Sequence, residues 1–532
     1  MHNAHTRYLI FFLFICSSIF VTIGLATNGS FDLFSPSFLW KAYNYYFLSM
    51  LDGHLDIPVE AIGREGGFFN SKAYMYYGML SVLPRAFLYP FVDLTQTPAS
   101  YFSIIFLTLI GHVTLQISLI SAFLERSKAD GNLLKYGMLL GVSCLLWFGS
   151  GSFMISQSAT IYHEPYAAAL CLVNIYLAFL VKDGFFMDEK RSINLIPYAL
   201  LAGLCIHARM PTALTLYLVT GILILLQSYR IKRSMGQRLD ILTVVLQSFR
   251  SFWPVISILA FCGVSILWLN YAKYGNALAF MGGNYGYFFL EGYTERRCNL
   301  VPTSDFSSLF RIVANTYIYL TGDEQGHWSL SWHLATGFGR KELPLVPLGI
   351  LWFLPIACFV FVVFTLLRGI KQTQNKVLLI ALLAFSVGAI FQLKYPTITH
   401  RYTAELWVPL FVCVLFLWFK LISHLPAKHA ISRRGKVIYF ALGLILFSSI
   451  AYQIHLALTS NYYLNDGPVE KHTNYHYSPE DNAFLSSLTP EKIKQLKIEF
   501  RKGKDKKCAE LAERSGVTDL IRSKEIIEEE KN

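Results

Sequence analysis

The sequence predicts an all-α polytopic membrane protein with about eleven transmembrane helices. Two observations predict this class. Of the 532 residues, 54% are hydrophobic and only 15% are charged, whereas soluble domains carry about 25% charged residues. The apolar residues also fall in repeated runs of about 20, the number of helical residues needed to cross a bilayer core about 30 Å thick.

The apolar runs and the polar segments between them define the organisation of the chain. The predicted spans are 8–26, 101–123, 135–150, 164–181, 194–207, 212–228, 252–270, 346–367, 377–393, 404–422 and 437–458. Residues 1–458 then form one transmembrane domain with two long extracytoplasmic loops, 27–100 and 271–345. Residues 459–532 are expected to be a small, soluble, extracytoplasmic helical tail, in which Thr489 is followed by proline and glutamate as at a helix N-cap.

Lysine and arginine are unevenly distributed between the two sides of the membrane. With the N-terminus inside, twenty of the 46 lie in the N-terminal stub and the five short loops on its side. Positive charge on short loops marks the cytoplasmic side, so both long loops are expected on the opposite face. The net charge of +12 then follows from topology, and we do not expect nucleic-acid binding.

The first long loop combines aromatic and acidic residues. Its aromatic segment, Ser37 to Leu51, is predicted to be a helix lying at the membrane surface. The acidic residues of the loop include Asp32, Asp52, Asp56, Glu60 and Glu65. A partly desolvated carboxylate can act as general base on an acceptor hydroxyl or hold a divalent cation against a phosphate. Ordinary polar turns would carry the same residues, so the sequence leaves a metal unassigned.

A second polar group precedes the fourth span, where His163 and Glu164 are adjacent within the segment Tyr162 to Tyr166. These two side chains could bind a metal or position an acceptor. Alternatively, Glu164 only stabilises the positive end of the following helix.

Two arginines stand alone on the expected outer side. Arg209 lies between spans five and six, and Arg401 precedes span ten beside Tyr402. Placing an isolated charge at an apolar boundary costs free energy, so its presence indicates a function. Binding a phosphate or pairing with a carboxylate would be such a function. The alternative is that the aliphatic part of each arginine lies in the apolar region while its guanidinium extends to the membrane surface.

Together these segments resemble the GT-C superfamily of membrane glycosyltransferases, which includes the protein O-mannosyltransferases and the lipid A aminoarabinose transferase. The resemblance covers roughly residues 8–458. It rests on the long first loop with its surface helix and on four short stretches, Tyr76-Tyr77-Gly78 leading to Pro90, Arg209-Met210-Pro211, Asn270 to Gly275 and His400-Arg401-Tyr402.

The resemblance implies an inverting transferase that moves a sugar from a polyprenyl-phosphate donor to a glycan, lipid or protein acceptor. We expect a bacterial inner membrane with the reaction on its outer face, and the charge distribution places the N-terminus in the cytoplasm. The sequence leaves the endoplasmic reticulum open as an alternative location. The relatives place an acid at the start of the surface helix, whereas this chain reads Pro36 to Trp40 there.

The resemblance also implies roles for particular residues. An acid of the first loop would be the catalytic base, and the candidates in order are Asp56, Asp52 and Asp32. Arginines near spans five to six and nine to ten, here Arg209 and Arg401, would hold the lipid phosphate. From the residues themselves we expect the rest of the substrate site to include Glu65, His163, Glu164 and Tyr402.

Three other functions fit a chain of this class. It could be a transporter or flippase of a lipid-linked saccharide, a polymerase or ligase of such saccharides, or a noncatalytic assembly subunit. A transporter would place polar or charged residues inside the spans near the midplane, and these spans are nearly free of charge.

Overall fold

The structure is a computed structural model of the 532-residue chain. It describes residues 2–126, 133–157, 159–187, 193–235, 240–279, 305–321, 347–395, 399–424 and 443–455, with a few single residues between 483 and 495. Most of the second long loop and nearly all of the predicted tail lie outside the described residues. The amide of Lys492 donates to Thr489 Oγ1 at 3.3 Å, as the N-cap predicted at Thr489 requires.

Apart from short turns and three small strands, the described residues form helices. In chain order these are α1 (His2–Ala26), α2 (Lys41–Leu51), α3 (Val59–Ile62), α4 (Leu83–Leu88), α5 (Ser100–Arg126), α6 (Leu133–Phe148), α7 (Gly151–Ser156), α8 (Glu164–Lys182), α9 (Ile196–Cys205), α10 (Met210–Ser234), α11 (Ile241–Tyr274), α12 (Asp305–Thr321), α13 (Leu348–Leu351), α14 (Phe353–Arg368), α15 (Thr373–Lys394), α16 (Thr403–His424) and α17 (Gly443–His455). The strands are β1 (Asp56–Ile57), β2 (Gly67–Phe69) and β3 (Lys72–Tyr74).

The apolar helices occur at the predicted positions. Within the described residues, 8 helical segments are long and apolar enough to cross a membrane, and the shorter apolar helices α9, α14 and α17 coincide with predicted spans five, eight and eleven. The all-α polytopic membrane fold predicted from the sequence is confirmed.

Helix α6 ends at Phe148, close to the predicted end of the third span at residue 150, and the short helix α7 follows after Gly149 and Ser150. Ser150 caps α7 by accepting a hydrogen bond from the Phe153 amide at 3.1 Å. Trp352 Nε1 donates to the Gly149 carbonyl at 3.0 Å, so the break leaves this buried carbonyl satisfied, as an apolar environment requires.

The first long loop covers one end of the bundle, which we call the loop face (the end that carries residues 27–99). Its strands form an antiparallel sheet in the order β1-β3-β2, with Asp56 opposite Tyr74 and Gly67 opposite the same tyrosine. Buried side chains of α2, including Tyr43 and Tyr46, pack with those of the sheet in a hydrophobic cluster separate from the core of the bundle.

Gly78 fixes how the loop sits on the bundle. A Cβ at this position would overlap the carbonyl oxygens of His207 and Ala208 and lie 2.6 Å from the Ala208 carbonyl carbon. Next to it, the Leu80 amide donates to the His207 carbonyl at 2.9 Å. The loop therefore meets the turn between α9 and α10 backbone to backbone.

We expect Gly78→Ala to lower the free energy of unfolding by about 1–3 kcal/mol, because the added methyl group forces the loop away from the turn. Thermal unfolding in detergent measures the change. Gly221→Ala is the matched control, since a Cβ at Gly221 in α10 meets nothing within 4 Å. Equal unfolding temperatures for Gly78→Ala and Gly221→Ala would contradict this close packing.

Candidate functional site

A buried ion pair anchors the loop face to the start of α8. Arg85 and Glu164 form two hydrogen bonds, Nη1 to Oε2 at 2.6 Å and Nη2 to Oε1 at 3.0 Å, and their side chains are 0% and 1% exposed. Arg85 Nε also donates to Asn44 Oδ1 at 2.7 Å, and Ser100 Oγ donates to Glu164 Oε1 at 2.8 Å. Helices α2, α4, α5 and α8 meet at this pair.

Arg209 forms a second ion pair on the same face. It occupies the N-cap position of α10 in an extended conformation, with φ −157°, and its Nε donates to Glu405 Oε1 at the start of α16. Its guanidinium lies 3.6 Å from the centre of the Tyr166 ring and 5.8 Å from that of Tyr402. Such stacking is favourable for a guanidinium.

Arg401 lies beside this pair. Its guanidinium is 4.5 Å from the centre of the Tyr162 ring and 5.4 Å from that of Tyr402, so Tyr402 contacts both arginines. The six side chains form what we call the arginine–tyrosine cluster: Tyr162, Tyr166, Arg209, Arg401, Tyr402 and Glu405.

Several polar atoms in and beside the cluster have no hydrogen-bond partner among the described residues. Within the described residues, Arg209 makes its hydrogen bond through Nε alone, and its side chain is 18% exposed. Glu405 Oε2, the Tyr166 hydroxyl and, close by, Thr399 Oγ1 are buried without a hydrogen bond in that part of the chain. Buried polar atoms are nearly always paired in folded proteins, so this arrangement is suited to a polar ligand.

The three candidate bases of the first long loop lie in different surroundings. Asp32 is exposed and accepts hydrogen bonds from Ser35 Oγ at 2.6 Å and the Phe34 amide at 2.9 Å; these bonds, that from Ser35 first, lower the pKa of Asp32 and make it a weaker base. Asp52 is exposed at the C-terminal end of α2.

Asp56 is partly buried, with a side chain 26% exposed, and accepts a hydrogen bond from Lys72 Nζ at 3.0 Å. This bond raises the pKa of Lys72. His54 Nδ1 lies 3.6 Å from the same carboxylate oxygen. Of the three acids, Asp56 combines partial burial with an ordered position in the sheet.

The remaining predicted residues are buried. Glu65 is 4% exposed and His163 is 3% exposed, and Thr160 Oγ1 lies 2.6 Å from His163 Nδ1. Glu164 begins α8 and is occupied by Arg85 as described above. Among the described residues, no group of three or more His, Cys, Asp or Glu side chains is placed to hold a metal ion.

One stretch of the loop runs between Asp56 and the arginine–tyrosine cluster. Tyr74 pairs with Asp56 across the sheet, and four residues later Gly78 contacts Ala208, the neighbour of Arg209. Four extended residues span at most about 14 Å. The candidate base and the candidate phosphate ligand therefore lie toward the two ends of this short segment.

Sequence reasoning missed two charged residues, Arg85 and Glu405. Glu405 is the only acid in the predicted span 404–422, and Arg85 stands alone among apolar residues between Leu83 and Pro90. A charge in such surroundings has the same cost as that of Arg209. Treating every lone charge at an apolar boundary alike would have identified both.

Comparisons with protein-family models and with curated proteins give no match. Among solved structures, the apo oligosaccharyltransferase of Archaeoglobus fulgidus matches with a TM-score of 0.45 and 12% identity, covering 90% of this chain and 60% of that one. The oligosaccharyltransferase AglB of Archaeoglobus fulgidus, in complex with an inhibitory peptide and a dolichol-phosphate, matches with a TM-score of 0.44 and 12% identity, covering 86% of this chain and 56% of that one. Both belong to the superfamily that the sequence resembles. At these values, neither match specifies the chemistry of this chain.

Proposed function

We propose that the chain is a glycosyltransferase that moves a sugar from a polyprenyl-phosphate donor to an acceptor hydroxyl at the loop face. The observation that carries the proposal is Arg209, held on the ring of Tyr166 with hydrogen-bonding capacity unused. Arginine is suited to phosphate because its planar group donates two parallel hydrogen bonds. Arg401, across Tyr402, adds a second positive charge.

In the proposed reaction the acceptor oxygen forms a bond to the anomeric carbon while the bond from that carbon to the phosphate oxygen breaks. Asp56 takes the proton of the acceptor hydroxyl, and the configuration at the carbon inverts. Arg209 and Arg401 stabilise the departing lipid phosphate, a contribution of roughly 3–4 kcal/mol for one well-placed donor in a dry site. Glu65, His163, Glu164 and Tyr402 would shape the substrate site around them.

We also propose where the reaction takes place and which molecules the protein binds. The donor is a lipid of the same membrane, and the acceptor is a glycan, a lipid or a protein. The loop face would be the outer face of a bacterial inner membrane, with the N-terminus in the cytoplasm, as the distribution of lysine and arginine favours.

The test uses purified protein in lipid vesicles supplied with radiolabelled polyprenyl-phosphate sugars, with and without a divalent cation. We expect transfer to an acceptor, or slow hydrolysis of the donor when none is added. Asp56→Asn should lower the rate by about 10²–10⁴-fold, because the amide cannot take the proton. Asp93→Asn is the control, since Asp93 is an exposed turn residue of the same loop that accepts a hydrogen bond from the Thr95 amide at 2.8 Å.

A donor that stays intact in every arm would contradict the proposed function. An Asp56→Asn protein as active as Asp93→Asn would remove Asp56 as the base and leave the role of the arginine–tyrosine cluster to be tested by its own variants.

A second function, movement of a lipid-linked saccharide across the membrane, is favoured by polar side chains buried inside the helices. His112 in α5 is 0% exposed and lies 3.2 Å from Ser150 Oγ at the break between α6 and α7. Gln116 Nε2, one turn away, donates to Ser143 Oγ at 2.8 Å. Broken helices and buried polar groups are features of transporters. Accumulation of label on the opposite leaflet of the same vesicles, without cleavage of the donor, would support this function.

A further inference from the structure

Lys273, at the loop-face end of α11, is a buried lysine. It is 3% exposed, its Nζ donates to the Met75 carbonyl at 2.6 Å, and it lies 4.9 Å from the centre of the Tyr46 ring. These are its contacts within the described residues, and no carboxylate is among them.

Two other cations at this face each pair with an acid. Arg85 pairs with Glu164 and Arg209 with Glu405. Removing an ammonium ion from water costs several kcal/mol even in a relaxed protein, and one carbonyl and one ring face offset only part of that cost. In its charged form Lys273 therefore lacks a negative partner that would offset this cost.

Tyr46, whose ring faces Lys273, and Tyr274, the next residue of α11, each carry an unused hydroxyl group. The hydroxyl groups of Tyr46 and Tyr274 are buried and have no partner in the described part of the chain. The Tyr274 hydroxyl lies against Gly67 so closely that a Cβ there would be 2.5 Å from it. Both hydroxyls can donate hydrogen bonds, as can the ammonium protons of Lys273 that Met75 does not accept.

His207 lies within the electrostatic reach of the same lysine. In its neutral form the imidazole ring of His207 carries one proton. Ser265 Oγ donates to the Cys262 carbonyl at 2.8 Å, so His207 Nε2, at 2.8 Å from Ser265 Oγ, must be the donor to it. Nδ1 then carries no proton, and it is buried without a partner among the described residues.

We propose that Lys273, Tyr46 and Tyr274 form a binding site for a phosphate group, separate from the arginine–tyrosine cluster. The ligand supplies the negative charge that Lys273 lacks and accepts hydrogen bonds from the two phenols. The phosphate comes either from a lipid headgroup in the bilayer or from a soluble phosphate. This site does not depend on the glycosyltransferase reaction.

Thermal unfolding of the full chain tests the site. The first arm uses detergent with inorganic phosphate against gluconate at equal ionic strength, and the second uses vesicles of phosphatidylglycerol against vesicles of phosphatidylcholine. We expect phosphate or phosphatidylglycerol to raise the unfolding temperature of the parent protein. Lys273→Met should remove this shift, while Lys41→Met, which changes an exposed lysine on the same helix as Tyr46, should keep it.

Tyr46→Phe serves as the second variant, because it removes one hydroxyl and keeps the ring against Lys273. It should raise the half-saturating phosphate concentration by about tenfold, the equivalent of losing one hydrogen bond to a charged group. A shift in both arms identifies a soluble phosphate as sufficient, and a shift with phosphatidylglycerol alone identifies a headgroup; both results support the site. No shift in the parent, or equal shifts in the parent, Lys273→Met and Tyr46→Phe, would overturn it.

Discussion

Replacing Glu164 by alanine is expected to lower the free energy of unfolding by about 3–5 kcal/mol, because Arg85 would keep a buried positive charge without its partner. The Arg85 side chain is 0% exposed, so it has no route to water without moving α4 from α5. Movement of Arg85 would also weaken its hydrogen bond to Asn44 of α2, which accepts from Arg85 Nε at 2.7 Å. Thermal unfolding in detergent, with gel filtration to score the folded fraction, measures the effect.

A double variant distinguishes the charge effect from simple loss of packing. Arg85→Met with Glu164→Leu leaves no buried charge and is expected to recover most of the lost stability. Asp93→Asn again provides an exposed control. A Glu164→Ala protein that unfolds at the temperature of the parent would show that the pair does not hold the loop face.

The second large effect is expected from the double variant Arg209→Met/Glu405→Gln. Removing both charges avoids leaving Glu405 buried and unpaired, so the protein should fold. Transfer should still fall by about 10²–10³-fold, because the departing phosphate loses its main hydrogen-bond donor. The assay is the vesicle reaction with radiolabelled donor, at equal amounts of folded protein.

The single variant Arg209→Lys completes this series. It keeps the charge but loses the planar group that lies 3.6 Å from the Tyr166 ring, so we expect its activity to fall between those of the parent and the double variant. If Arg209 only stabilised the fold, the folded double variant would transfer sugar as fast as the parent.

The spans were predictable because a helix that crosses a bilayer needs about 20 consecutive apolar residues, and such runs are visible in the sequence. The third span was predicted to end at residue 150, close to the end of α6 at Phe148, whereas the short helix α7 beyond it was not predicted. Gly149, Ser150 and Gly151 are the local signal for a helix end. The Gly149 carbonyl at this break accepts a hydrogen bond from Trp352, which is 203 residues away along the chain.

The candidate site was predictable one residue at a time and not as a set of pairs. Arg209 and Arg401 stood out because each was a lone charge at an apolar boundary. The partner of Arg209 is 196 residues away along the chain, and that of Arg85 is 79 residues away. Such pairings follow from how the helices pack, which local sequence does not encode.

The role of the first-loop acids remains a prediction. The sequence ranked Asp56 above Asp52 and Asp32, and the structure gives physical reasons to compare them. Asp32 is committed to hydrogen bonds within its own turn, and Asp52 is exposed. Asp56 accepts a hydrogen bond from Lys72, so a substrate hydroxyl would have to share the carboxylate with this lysine.

The most direct test of phosphate binding by Arg209 is the affinity of the protein for bare polyprenyl phosphate, the product that leaves when the sugar is transferred. Titration of the purified parent protein and of folded Arg209→Met/Glu405→Gln, followed by tryptophan fluorescence, gives both dissociation constants. We expect the double variant to bind at least about 100-fold more weakly, as the loss of a charge-assisted pair of hydrogen bonds implies. Equal affinity of the two proteins would show that the arginine–tyrosine cluster does not hold the lipid phosphate.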